Sequence, residues 1–194
     1  MGKKVKWSWT SALVGATAAT LATTLISAKP KPPSFRLVSL TALRFNLNGS
    51  NLNDEKFPRL DADLILNVHV TNPNILPVSY SATSLSIYYD GSLLGSAQVP
   101  AGSQQPKSCE LLRLPARLSG AELAQHAKRF IGDVAKREMT INADVEICGW
   151  AKAFVWGPKF KVHVDSRIVV DPLLLDVVDQ ENESRLQICV KGKC

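Results

Sequence analysis

Asp61-Ala62-Asp63-Leu64-Ile65-Leu66-Asn67-Val68-His69-Val70-Thr71-Asn72-Pro73-Asn74 is the stretch whose reading decides the fold class. Ala62, Leu64, Leu66, Val68 and Val70 recur at every second residue, and Asp61, Asp63, Asn67, His69 and Thr71 fill most of the other phase. A period of two belongs to a β-strand with one face toward a core and one toward water. Asn72-Pro73-Asn74 ends the run with turn chemistry, since proline has no N–H for a ladder and asparagine side chains bond the nearby backbone.

The same period runs outward from this strand. Leu85, Ile87 and Tyr89 alternate with Ser84, Ser86 and Tyr88, and Asp90-Gly91 is a hairpin signal leading into residues 93–99. Residues 35–47 and 109–114 read as further strands with a less clean pattern. Ile141, Ala143, Val145 and Ile147 form another, as do Phe160, Val162 and Val164; Ile168 to Val170 leads to Asp171-Pro172, and Leu186, Ile188 and Val190 make a last weak strand. One segment breaks the rhythm. Ser119-Gly120-Ala121-Glu122 is a capping box, followed at helical spacing by Leu123, Ala127, Phe130, Ile131 and Val134. About seven alternating strands and one amphipathic helix predict a mainly β domain over residues 35–178, an antiparallel β-sandwich with the helix packed on a sheet. Residues 179–194 are expected to form a Cys-containing C-terminal tail.

At the other end, Trp7 to Ala28 contains 22 residues without a charge, flanked by Lys3, Lys4 and Lys6 before and Lys29 and Lys31 after. As a helix it would reach roughly 33 Å, against a hydrocarbon core of roughly 30 Å. Residues 1–6 then form a basic cytoplasmic tail, residues 7–28 a transmembrane helix with Trp7 and Trp9 as an interfacial belt, and residues 29–34 a stiff Pro-rich spacer. The rival reading is a cleaved secretory signal ending at Ile26-Ser27-Ala28. Both readings send the chain into the secretory system, either as a single-pass protein with its C-terminal domain lumenal or extracellular, at the plasma membrane or an endomembrane, or as a secreted one.

The formal charge of +6 misleads as a guide to partners. Five lysines lie in the first 31 residues, which hold no acid, leaving 18 bases against 17 acids beyond them. A nearly neutral domain excludes a nucleic-acid binder, which needs its basic residues on the folded face. Asn48-Gly49-Ser50 and Asn182-Glu183-Ser184 make Asn48 and Asn182 glycosylation candidates if the domain reaches a lumen. Cysteines 109, 148, 189 and 194 show no C-x-x-C spacing and the three histidines are scattered, so neither metal nor cofactor is expected. In an oxidising compartment two bridges in any of three pairings are open. Cys148 and Cys189, on the polar phases of their strands, are the disulfide candidates, as a bridge pinning the tail.

No enzyme is expected. The chain lacks G-x-S-x-G, H-E-x-x-H and a phosphate-cradling glycine loop. His69 and His163 fall on exposed strand phases, and His126 lies on the helix. Asp61 and Asp63 read as an ordinary polar face, and Trp150 and Trp156 as core and hairpin packing around residues 151–155.

The stretch from Asp63 to Asn74 resembles the plant late embryogenesis abundant proteins of subgroup two, in which such a strand runs into Asn-Pro-Asn. Ile87-Tyr88-Tyr89-Asp90-Gly91 and Leu94-Gly95 through Val99-Pro100-Ala101-Gly102 match the next block of that family. The same domain, associated with water stress and hypersensitive response, is shared with harpin-induced-like, hydroxyproline-rich glycoprotein membrane proteins of defence. The resemblance covers roughly residues 35–171 and implies a fibronectin III-like sandwich with a helix, roles in stress or defence, and no catalytic residues. The expected function is that of a non-enzymatic, membrane-anchored plant protein. It holds membrane lipid through residues 7–28 and meets a protein, cell-wall or lipid partner through its sandwich surface. The alternative is a lipid-binding or lipid-transfer module whose groove is lined by residues such as Leu64, Leu66, Val145 and Ile147. An apolar cavity would favour the second and a solid core the first.

Overall fold

A computed structural model describes residues 30–48, 59–152 and 157–189. The chain divides into two compact units, residues 1–31 and 32–194, and the fold lies in the second. Among the described residues ten strands and two helices follow in order: β1 Ser34–Asn48, β2 Arg59–Thr71, β3 Val78–Tyr80, β4 Thr83–Tyr89, β5 Ser92–Val99, β6 Gly102–Gln104, β7 Cys109–Leu118, α1 Gly120–Gln125, α2 Ala127–Lys136, β8 Met139–Ala151, β9 Lys159–Asp171 and β10 Asp176–Cys189. The expected transmembrane helix at residues 7–28 lies outside the described residues. Among those described, no helix is long and apolar enough to cross a membrane.

The quoted stretch is β2, and its alternation holds. Ala62, Leu64, Leu66 and Val70 are buried, Val68 is half-buried against the core, and His69 is exposed. Asn72 is 1% exposed and fully employed. Its Nδ2 donates to the carbonyls of Leu76 and Gln105, both at 3.0 Å, and its Oδ1 accepts the Asn74 N–H at 3.0 Å. One asparagine therefore fastens two loops at the end of the strand.

The expectation of a two-layer sandwich is corrected. The strands pair in the order β4-β5-β7-β2-β1-β10-β9-β8, and β4 pairs again with β8 from Leu85↔Val145 to Tyr89↔Ile141. Eight antiparallel strands thus close into a barrel, and β3 and β6 extend from β8 as a small flap. The physical reason is strand length. β8 runs for 13 residues and pairs with β9 along nearly all of it, while its other edge takes β4 and then β3. Long, tilted strands of this kind close a sheet on itself and leave no wide edge. A period of two is common to both architectures, since each has one apolar face per strand. The segment 179–189, expected in a tail, is instead most of β10, laddered against β9 to Cys189↔Lys159.

The helix is also corrected, from one to two. Ser119 stands at the N-cap but its side chain makes no cap bond, and Asp61 Oδ1 accepts the Gly120 N–H at 2.9 Å instead. His126, at φ −106° and ψ 20°, interrupts the helix. Leu123 and Phe130 pack against the core, whereas Ile131 is 67% exposed and contributes nothing to burial.

Candidate functional site

The inward faces of the barrel do not fill it. A cavity of about 190 Å³ remains, lined by side chains from all eight barrel strands and from both helices. Leu64, Leu66, Val145 and Ile147 all line it, as do Val68, Leu112, Leu123 and Phe130. Its polar lining residues are Ser119, Ser166 and Gln180. An engineered apolar cavity of about 150 Å³ stays dry and takes up benzene, whereas sites for drug-sized ligands run from about 300 Å³ upward. The space thus suits a slim apolar ligand and not a bulky one.

The helices close one region of the barrel, and a set of polar side chains at its rim holds them there. Tyr89 Oη donates to Asp133 Oδ2 at 2.7 Å, and burial, with Asp133 beside it, pushes the Tyr89 hydroxyl well above its ordinary value. The phenol therefore stays a donor at any physiological pH. Asp90 in the β4–β5 turn pairs with Arg129 and with His126 Nδ1 at 3.2 Å. His126 Nε2 lies 3.0 Å from Ser92 Oγ, and the ring meets Tyr89 edge-on. The order Ser92, His126, Asp90 is that of a nucleophile, base and orienting acid. Sequence reading missed it, because the three residues sit on a turn and a helix junction with no motif joining them. Here Asp90 also holds Arg129, so the set ties α2 to the hairpin. The neighbouring tie is Arg137 with Asp171 at 2.9 Å.

The other singled-out residues fall elsewhere. Asp61 caps α1 and Asp63 pairs with Arg117 at 3.1 Å, so the two act separately and structurally. His163 lies between Asp144 at 3.4 Å and Asp165 at 3.3 Å in a surface cluster of polar side chains, half open to solvent. Trp150 is corrected: it stands 43% exposed on β8 rather than in the core, and Trp156 lies outside the described residues. The cysteine pairing is corrected too. Cys148 is a free, exposed thiol, as is Cys109, whereas Cys189 is buried and disulfide-bonded to a partner outside the described residues. Cys148 points outward, and so cannot pin β10. Asn48 ends β1, with the rest of its sequon outside the described residues. Asn182 lies exposed within β10, its Nδ2 donating to the Phe35 carbonyl at 2.6 Å.

The architecture is thus a closed antiparallel barrel of eight strands around an apolar hollow. Residues 67–168, just over half of the chain, match the family described as Late embryogenesis abundant protein, of subgroup two. The chain belongs to this stress-associated family. No curated protein matches the sequence. Among solved structures, the chain is similar to a protein from Archaeoglobus fulgidus (11% identity, 80% of this chain and 98% of the other, TM-score 0.33). It is also similar to a protein from Arabidopsis thaliana (15%, 84% and 89%, 0.34) and to one described as a late embryogenesis abundant protein (14%, 97% and 94%, 0.29). Likenesses this distant transfer neither ligand nor role.

Proposed function

We propose that this late embryogenesis abundant protein is a non-enzymatic binding module that takes a slim apolar ligand, part of a lipid, into its barrel. The observation that carries the reading is the cavity of about 190 Å³ with its almost wholly apolar lining. A domain acting only through its surface has no use for a hollow core, since each unfilled volume forfeits packing energy. In this reading residues 7–28 anchor the protein in a plant membrane, with the barrel lumenal or extracellular. The support for that part is the uncharged run, its flanking lysines and the two sequons. The stress or defence role is then exercised by holding or sensing lipid beside the membrane.

The test is calorimetric titration of the full chain with decanoic acid, a single-chain probe. Saturable binding of one molecule per chain supports the reading. Absence of heat together with an unchanged melting temperature at millimolar probe would sink it.

A further inference from the structure

The barrel wall is not uniform. Between β1 and β10 the described residues give a single registered pair, Ser39↔Asp176, whereas β1 is laddered to β2 and β10 to β9 along their lengths. Past that pair, side chains replace the missing ladder. Gln180 Oε1 accepts the Leu37 N–H at 2.8 Å, and Asn182 Nδ2 donates to the Phe35 carbonyl. Phe35, Leu37 and Gln180 line the inner cavity and also line a groove of about 600 Å³ on the outer surface. The wall there is thus one side chain thick. Its outer lips include Val38 and Val178, which are exposed, and Arg36 and His69, which face each other in register on the exposed phase of β1 and β2. Neither Arg36 nor His69 has an ion-pair partner among the described residues. The one acid among the described residues lining the groove, Asp179, accepts the Gln180 backbone N–H at 2.9 Å.

We propose that the β1–β10 seam is the portal of the cavity, latched by Gln180, and that the site takes a single-chain fatty acid, its tail inside the barrel and its carboxylate in the groove at Arg36. The proposal rests on the cavity reading above and adds the route, the latch and the head group. A backbone ladder must break many bonds at once to part, but past Ser39↔Asp176 and the Leu40 N–H to Leu175 carbonyl bond beside it, two side-chain bonds can turn away while the strands stay attached to β2 and β9. Valine lips let a hydrocarbon chain pass. A carboxylate keeps its hydration by stopping at the exposed Arg36 and need not enter the apolar interior, where an unpaired charge is strongly disfavoured.

The experiment uses the full chain, hydrogen exchange and decanoic acid carrying ¹³C at the carboxyl carbon. Without ligand, the Leu37 amide should exchange about tenfold faster in Gln180→Ala than in the wild type, while amides of the β9 core keep their protection. With ligand, Gln180→Ala should speed exchange between free and bound decanoate about tenfold. Arg36→Gln should weaken decanoate binding about threefold and move the bound carboxyl resonance. Thr83→Ala, which removes the side-chain bond to the Glu146 carbonyl at the β4–β8 closure, should alter none of these. Decanoate that binds with the same exchange rate in Gln180→Ala, or equal acceleration by Thr83→Ala, overturns the portal alone. Decanoate that binds no variant overturns the cavity reading and the portal with it. If the Leu37 amide is then unaffected by Gln180→Ala, the latch fails separately.

Discussion

Ala143→Leu asks by the sign of its effect whether the barrel is hollow. Ala143 sits on the inward phase of β8, between Ile87 of β4 and Ser166 of β9, and lines the cavity. Leucine adds three carbons. Buried in empty space they contribute at most about 2.4 kcal/mol at roughly 0.8 kcal/mol each. Fixing the leucine rotamer takes back about 0.5–1 kcal/mol, which leaves a gain of about 1.5 kcal/mol. In a domain of this size that raises Tm by about 3–6 °C. A solid core gives the opposite result, since forcing three carbons into close-packed surroundings typically costs about 1–3 kcal/mol. The assay is thermal denaturation of the full chain followed by circular dichroism at pH 7, with decanoate affinity measured on the same samples. The expected outcome is a higher Tm and weaker ligand binding. A lower Tm would show that no usable space exists beside residue 143, and the ligand reading would lose its foundation.

Other outcomes follow from single positions. Gly95→Ala places a Cβ 2.1 Å from the Arg117 carbonyl oxygen, a backbone atom in the short β5–β7 pairing, and should cost about 1–3 kcal/mol in chemical denaturation; an unchanged midpoint would mean that this pairing is absent in solution. Asn72→Ala removes three hydrogen bonds from a buried amide and should cost about 2–4 kcal/mol in chemical denaturation; an unchanged midpoint would mean that this amide does not fasten the two loops in solution. Burial acts to raise the Asp171 carboxyl, but the Leu173 and Leu174 N–H groups and Arg137 outweigh it and hold the group below its ordinary 3.8. Its contribution is therefore present above about pH 4 and lost as pH falls through the lower folded value; Asp171→Asn should lower Tm at pH 6 and converge with the wild type in strong acid, and an equal deficit at both pH values would assign the effect to packing. Ser92 should not react with a fluorophosphonate, and covalent labelling lost in His126→Ala would make the chain a hydrolase.

What the sequence made legible was what repeats along the chain. Every second residue of β2, β8 and β9 faces inward, so Leu64, Leu66, Val145, Ile147, Val162 and Val164 could be placed without coordinates, and all six are buried. The helical segment was visible from the spacing of Leu123, Ala127, Phe130, Ile131 and Val134, of which Leu123 and Phe130 pack on the core. Missed were features set by partners far apart in the chain. Alternation says that a strand has an inside and is silent on whether that inside faces a second sheet or the far wall of a barrel. The decision was made by β4 reaching β8, about 55 residues later, and no local signal carries it. His126 breaks the helix where its ring meets Asp90 and Ser92, a contact across more than 30 residues, and Asp61 displaces Ser119 as the cap from 59 residues away. The same limit hid the candidate site. A cavity is the volume that side chains fail to fill, so it belongs to no residue, and it shares Phe35, Leu37 and Gln180 with an outer groove where the first and last strands meet. Among the described residues the first and last strands close with one registered pair, the Leu40 N–H to the Leu175 carbonyl at 3.3 Å beside it, and two side-chain bonds, which makes this a separable joint. A joint beside an apolar hollow is where a binding function would leave its mark.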